Sequence, residues 1–148
     1  MITKMINDSY PELAPKNSKA ENLIVFLHGL GSDGNDLISL CPYFEKTLDN
    51  IYFISPHGTE EFDMAPFGRQ WFSLKDRSKE TISKELENKY SAIEKIICSK
   101  QQSLKLTNRE TIIIGFSQGT MIGSYLTLSQ ITPYASLIGF SGRICPPI

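Results

Sequence analysis

Short runs of apolar residues alternate along the chain with longer, more polar stretches. The runs at residues 23–27 (LIVFL) and 51–54 (IYFI) are continuous and rich in β-branched and aromatic side chains, a pattern typical of strands buried on both faces. Residues 111–114 (TIII) and 135–140 (ASLIGF) have the same character. Because long segments connect these runs, and parallel strands need long crossover connections, the pattern predicts four parallel strands.

Two of the connecting segments are long enough to form helices. From Lys79 to Lys100, apolar residues recur every three or four positions while lysine and glutamate fill the opposite face, which predicts an amphipathic helix packed on the sheet. Residues 118–130 predict the crossover helix between the last two strands. The whole pattern indicates one α/β domain over residues 1–148, with a mainly parallel sheet and flanking helices. The apolar positions of the first helix are Ile82, Leu86, Tyr90, Ile93 and Ile97.

Composition excludes several function classes. The 15 basic and 16 acidic side chains nearly cancel and form no stripe of one sign, so we expect no nucleic-acid partner. Residues 1–16 hold no apolar run of signal-peptide length, and no segment approaches the roughly 18 apolar residues of a membrane span; we therefore expect a cytoplasmic protein. Cys41, Cys98 and Cys145 lack C-x-x-C spacing, so neither a disulfide framework nor a metal site is expected.

The loop after the first predicted strand is rich in glycine. Residues 28–34 (HGLGSDG) contain G-x-G-x-x-G, the spacing of a dinucleotide-binding turn. Such a site also needs an acidic residue near the end of the next strand, where this chain has residues 55–58 (SPHG) instead. A purely structural turn is a second interpretation. The third, which we favour, is that the backbone N–H groups of the loop point at a developing negative charge.

The second glycine-rich turn, residues 115–119 (GFSQG), lies between a predicted strand and a predicted helix. A G-x-S-x-G in this position strains the backbone of its central residue and lifts the hydroxyl of Ser117 above the edge of the sheet. It also aims the helix N-terminus, with the N–H of Gln118, at the oxygen of a reacting carbonyl group. The alternative is that Ser117 only caps the helix. The turn favours Ser117 as a nucleophile.

Four segments together resemble the phospholipase/carboxylesterase group of the α/β-hydrolase fold, which includes the acyl-protein thioesterases. They are LIVFLHGLGSDGNDL, PHGTEEFDMAPFGRQWFSL, IIIGFSQGTMIG and SLIGFSGRI. The resemblance implies that Ser117 is the nucleophile and that the N–H groups of Leu30 and Gln118 form the oxyanion hole. It also implies that Trp71 and Phe72 help to line the substrate site, although on physical grounds alone they could equally be core aromatics. No cofactor is implied.

The expected general base is missing from its usual place. In this fold the triad follows the chain order Ser, Asp or Glu, then His, but residues 118–148 contain no Asp, Glu or His. His28 and His57 precede the nucleophile, so neither occupies the usual base position. A base role for His28 is an alternative, because its loop should lie close to Ser117, but the resemblance favours His28 as a structural anchor of the oxyanion loop. We therefore expect a partial α/β-hydrolase domain that lacks the last strands and, with them, the triad's Asp and His.

Two functions follow as hypotheses. One is a serine hydrolase that cleaves a small ester or an acylated substrate through an acyl-enzyme on Ser117. The other is an inactive remnant or binding module that keeps the pocket. A complementing chain that completes the site is a third, less favoured arrangement. Because the strand at 135–140 would then have an unpaired edge, we expect self-association or a partner at residues 135–148.

Overall fold

The computed structural model describes residues 9–148, and the first eight residues lie outside the described part. The strands are β1 (Glu12–Leu13), β2 (Asn22–Leu27), β3 (Ile51–Ile54), β4 (Glu60–Glu61), β5 (Arg69–Gln70), β6 (Thr111–Phe116) and β7 (Ser136–Phe140). The α-helices are α1 (Gly34–Ile38), α2 (Cys41–Phe44), α3 (Lys79–Leu104) and α4 (Gln118–Leu128).

The main sheet has the order β1-β3-β2-β6-β7. Strands β3, β2, β6 and β7 are parallel to one another, which confirms the four parallel strands expected from the apolar runs. Strand β1 was not predicted, and it adds to the outer edge of β3 in the antiparallel direction. Its two residues are too few to form an apolar run, although Leu13 packs against a core cluster that includes residues of β3.

Both faces of the sheet are covered at β2, which explains why this strand is apolar almost throughout. Along β2, Leu23, Val25 and Leu27 point into the cluster that contains α3 and α4. Ile24 and Phe26 point the other way, into a smaller cluster with residues of α2 and β3. A strand that is buried on both faces cannot alternate polar and apolar residues. The domain is therefore a three-layer α/β structure.

Helix α3 confirms the amphipathic pattern and extends four residues beyond the predicted end. It begins after Ser78, whose side chain accepts a hydrogen bond from the N–H of Thr81 and so caps the helix. It ends at Leu104, and the next residue, Lys105, has the left-handed backbone common after helix C-termini. The buried side chains are Ile82, Leu86, Ile93, Ile97 and Gln101. Among the described helices, none is both long enough and apolar enough to cross a membrane.

Strands β4 and β5 form a small antiparallel hairpin that lies against the glycine-rich loop after β2. The N–H of Gly31 donates to the carbonyl of Arg69 over 2.8 Å, and the N–H of Arg69 donates to the carbonyl of Ser32 over 2.7 Å. These paired bonds join the hairpin to residues 31–32. Two-residue strands leave no apolar run in the sequence, so the hairpin was not predicted.

Candidate active site

Ser117 occupies a strained turn between β6 and α4. Its φ of 53° and ψ of −113° lie outside the regions that L-residues favour. The turn is held by a hydrogen bond from the N–H of Ser117 to the carbonyl of Phe140, with a length of 2.8 Å. The Ser117 side chain is half-buried and makes no hydrogen bond as a cap for α4. The geometry therefore argues against the alternative that Ser117 only caps the helix.

Glycine allows α4 to begin very close to the end of β2. A Cβ atom on Gly119 would lie 1.9 Å from the carbonyl oxygen of Leu27, so no other residue fits there without movement of the backbone. The same close packing brings the loop after β2 against the turn, because a Cβ on Gly29 would lie 3.5 Å from the Cβ of Ser117. The structure thus brings together the two glycine-rich turns found in the sequence.

The two predicted oxyanion donors, Leu30 and Gln118, each follow one of the residues that meet where the two turns touch, Gly29 and Ser117. Leu30 follows Gly29 directly, and Gln118 is the first residue of α4. Within residues 9–148, no hydrogen bond uses the backbone N–H of Leu30 or of Gln118. The N-terminus of the eleven-residue helix α4 adds a favourable field for negative charge beside Gln118.

His28 anchors the loop and has no ring nitrogen left for catalysis. Its Nε2 accepts a hydrogen bond from the N–H of Gly58 over 2.8 Å, so its proton sits on Nδ1 and is donated to the carbonyl of Gly29 over 2.7 Å. The side chain has no exposed surface. Burial lowers the pKa of His28 below the ordinary value of 6.5. The structure supports the anchor role implied by the resemblance and argues against a base role.

His57 is also used structurally. Its Nδ1 accepts a hydrogen bond from the N–H of Gly34, the first residue of α1, over 3.0 Å. The side chain of Ser55 donates to the carbonyl of the same glycine over 2.6 Å. Residues 55–57 therefore hold the start of α1 at the far end of the glycine-rich loop. The Nδ1 of His57 is therefore engaged in holding α1.

Trp71 and Phe72 are buried in the main core and have no exposed surface. This position favours the core alternative over the lining role that the resemblance implied, because a lining side chain must be reached by substrate. The amide of Gln118 contacts both residues: its Oε1 accepts from the N–H of Trp71 over 2.9 Å, and its Nε2 donates to the carbonyl of Phe72 over 2.7 Å. This double contact was not predicted.

These features match a known family. The sequence fits the family model of phospholipases and carboxylesterases over residues 8–148. The chain belongs to the phospholipase/carboxylesterase family. Its fold is that of an α/β-hydrolase, with the mainly parallel sheet and flanking helices that were expected from the sequence.

Solved structures agree with this assignment. Esterase PE8 is 31% identical, with a TM-score of 0.85; the match covers 92% of this chain and 64% of the esterase. The carboxylesterase of Bacillus cereus is 15% identical with a TM-score of 0.69, and the match covers 93% of this chain and 62% of that one. The carboxylesterase of Mesorhizobium loti is 16% identical with a TM-score of 0.67, covering 88% and 59%. The chain thus spans less than two thirds of these relatives, and the last two show the shared fold alone.

Proposed function

We propose that Ser117 is the nucleophile of a serine esterase that cleaves carboxylic esters or thioesters. The hydroxyl oxygen attacks the carbonyl carbon, and the leaving alcohol or thiol departs to give an acyl-enzyme that water then hydrolyses. The N–H groups of Leu30 and Gln118 hold the negative oxygen of the tetrahedral intermediate. The substrate is a small ester or an acylated molecule.

The observation that carries this proposal is the backbone of Ser117. A non-glycine residue at φ 53° and ψ −113° stores strain, and strain of this kind concentrates at functional sites. Ser117 also stands against the loop that carries Leu30, whose backbone N–H, like that of Gln118, has no hydrogen-bond partner among the described residues. The strained angles support the proposal in combination with the helix start and the two unpaired donors, because these three features converge on one hydroxyl group.

The general acid and base of the reaction come, in this proposal, from polypeptide outside the described residues. His28 and His57 both use ring nitrogens to hold loops, and residues 118–148 contain no Asp, Glu or His. Without a base, residual acceleration in triad enzymes is about 10³ to 10⁴ over water. The 148-residue chain alone should therefore react slowly.

The same observation favours a second candidate, a binding module that keeps the hydrolase pocket but performs no turnover. Such a protein would present the strained serine and the two N–H donors to an anion or a carbonyl group. It would bind an acyl ligand without forming a covalent bond. The two candidates differ in one measurable property, which is the reactivity of the Ser117 oxygen.

A fluorophosphonate probe tests the nucleophile directly. We expect slow labelling that mass spectrometry places on Ser117, together with slow hydrolysis of a short-chain aryl ester. Both should disappear in Ser117→Ala. Ser141→Ala is a matched control, because Ser141 directly follows the neighbouring strand β7 and has nearly the same φ, 52°. It should label like the wild type. Labelling that survives in Ser117→Ala would contradict the assignment, and binding of acyl ligands without any labelling would favour the second candidate.

We also propose that residues 135–148 are a contact surface, for a second copy or for a complementing polypeptide. Strand β7 is the last strand of the described sheet, and only β6 pairs with it. The apolar side chains of Ile138, Phe140 and Ile144 are exposed by 41%, 55% and 58%. An edge strand with exposed apolar side chains is a template for pairing with another chain.

A further inference from the structure

Trp71 makes hydrogen bonds to both chain segments that carry the candidate oxyanion donors, the start of α4 and the loop after β2. Its backbone N–H donates to the side chain of Gln118 over 2.9 Å, and its indole N–H donates to the backbone carbonyl of His28 over 2.8 Å. Its ring also lies against the imidazole of His28, with centroids 5.0 Å apart. One residue therefore joins the start of α4 to the glycine-rich loop that carries Leu30.

This bridge is rigid because each part of it is buried and paired. Trp71 has no exposed surface, and the side chain of Gln118 belongs to a residue that is only 1% exposed. The amide of Gln118 is fixed at two points, since it also donates to the carbonyl of Phe72. His28 is fixed in turn through Gly58. A buried amide with both ends paired has a single orientation, because any rotation would leave polar groups without partners.

Direct contact between the two glycine-rich turns does not fix their relative orientation. Glycine packing at Gly29 and Gly119 limits how closely they approach, but in the described chain no hydrogen bond joins residues 29–34 to residues 116–120. Van der Waals contact limits approach without setting direction, whereas hydrogen bonds set both. The ladder between β2 and β6 ends at Leu27 and Gly115, and beyond it the directional link between the two turns runs through Trp71.

We infer that Trp71 and the side chain of Gln118 are positioning residues that set the spacing between the N–H of Leu30 and the N–H of Gln118. This inference rests on the proposed function, because spacing matters only if both groups bind one oxygen. Such donors must stand about 2.7 to 3.1 Å from the oxyanion, and loss of one donor costs roughly 10² to 10³ in rate. A small displacement of the loop should therefore slow acylation without unfolding the protein.

The first test uses Gln118→Met, which keeps the length of the side chain and removes both of its hydrogen bonds. The measurement is the backbone amide resonance of Leu30 in a ¹⁵N NMR spectrum. Because the effect must travel through Trp71, we expect this resonance to shift in Gln118→Met and in Trp71→Phe, which lacks the indole N–H. Gln101→Met is the matched control, because Gln101 is a buried, hydrogen-bonded glutamine on α3 that bonds Asn108 and Thr111; it should leave Leu30 unchanged.

The second test measures fluorophosphonate labelling of Ser117 at a temperature well below the unfolding midpoint of each variant. We expect labelling to slow by about tenfold or more in Gln118→Met and Trp71→Phe, and to stay at the wild-type rate in Gln101→Met. The chain has a single tryptophan, Trp71, so its emission in Gln118→Met shows whether the variant remains folded. Should Gln118→Met not fold, Trp71→Phe carries both tests.

The outcomes separate this inference from the proposed function. An unmoved Leu30 resonance in Gln118→Met and Trp71→Phe would overturn the bridge, whatever the labelling rate. A shifted resonance with unchanged labelling would overturn the claim that the bridge sets reactivity. If the wild type shows no labelling while the Leu30 resonance shifts, the bridge stands as a structural link and the nucleophile assignment fails.

Discussion

The tetrapeptide Ile-Gly-Phe-Ser occurs twice, at residues 114–117 and 138–141, and its two copies lie side by side in the sheet. The register pairs like with like, from Ile114 with Ile138 to Phe116 with Phe140. Both copies end on a serine with positive φ, 53° at Ser117 and 52° at Ser141. Identical local sequence has produced the same unusual sign of φ twice.

The copies differ in what surrounds them. Ile114 is 5% exposed and belongs to a core cluster, whereas Ile138 is 41% exposed. Ser117 opens helix α4 and stands against the glycine-rich loop, whereas Ser141 leads into irregular chain. The comparison teaches that a strained serine is not by itself a candidate nucleophile. The helix start and the unpaired N–H groups opposite it distinguish Ser117.

The largest expected difference between the copies is in the tolerance of their glycines. A Cβ on Gly115 would lie 2.7 Å from backbone atoms of Gly119 and Thr120, which cannot move without displacing α4. A Cβ on Gly139 would meet the Cγ2 of Thr120 at 2.5 Å, which is a side-chain atom. We expect Gly115→Ala to lower the free energy of unfolding by about 3 kcal/mol and Gly139→Ala by about 1 kcal/mol. Urea unfolding of both variants measures this difference.

Thr120→Ser provides the control for that comparison. It removes the Cγ2 atom and keeps the hydroxyl that donates to the carbonyl of Phe140. Stability lost in Gly139→Ala should be largely recovered in the double variant Gly139→Ala/Thr120→Ser. The same Thr120→Ser change should not rescue Gly115→Ala. Equal losses for the two glycines would show that the second copy is packed as tightly as the first.

Most of the sheet could be predicted because burial on both faces leaves a continuous apolar run. Residues 23–27 and 111–114 therefore stand out in the sequence, and the structure extends them only slightly. Strands β1, β4 and β5 have two residues each, too few for any period. Their positions depend on partners that are distant in sequence, such as β3 for β1, so local pattern carries no trace of them.

The site could be predicted only in its backbone chemistry. The strained turn at Ser117 follows from a strand, two glycines and a helix, all of which are local. The contacts of Trp71 were not predicted, because they join it to Gln118, 47 residues away, and to His28, 43 residues away. An aromatic pair in a polar stretch looks the same in sequence whether it lines a pocket or ties two loops together. The sequence signal that could have indicated these contacts is Gln118, a polar residue at a helix position that packing buries.

The next prediction uses pH to distinguish the surroundings of the two tetrapeptide copies. The loop opposite Ser117 depends on neutral His28, whose pKa burial lowers despite nearby Asp33 and Asp36. Well above pH 6.5, His28 is neutral in both the folded and the unfolded state, and its full contribution to stability is present. Below it the unfolded state takes up a proton that the folded state resists, so the free energy of unfolding falls as pH falls, by at most about 1.4 kcal/mol per pH unit.

Urea unfolding between pH 7.5 and 5.5 measures this slope, and hydrogen exchange locates it. We expect the slope to be lost in His28→Gln, which cannot titrate. Amides of residues 29–34 and 58 should lose protection first, while those of residues 138–140 should not change. Equal loss of protection at both copies would mean that the pH effect is global and that His28 is not its source.

A smaller effect is expected from relief of the strain at the two serines. Glycine adopts positive φ at no steric cost, so Ser117→Gly and Ser141→Gly should each raise the free energy of unfolding by about 1 kcal/mol. Only Ser117→Gly should also abolish fluorophosphonate labelling. Thermal unfolding and labelling of both variants check this. A Ser117→Gly variant that is less stable than the wild type would show that its hydroxyl makes a stabilising contact and that the turn is not strained.

The smallest expected change in stability concerns the exposed edge. Lysine in place of Ile138 keeps the strand on β6 and places a charge where another chain would pair, so the free energy of unfolding should change by less than about 0.5 kcal/mol. Sedimentation at micromolar concentration should show the wild type associating and Ile138→Lys as a monomer. Ile131→Lys is the control, because Ile131 is fully exposed but lies outside the sheet; it should associate like the wild type.

If the wild type is a monomer with strongly protected amides over residues 135–140, the edge is already satisfied and the contact surface proposed for residues 135–148 does not exist. If both lysine variants become monomers, association comes from general apolar exposure, and the second copy of the tetrapeptide has no special part in it.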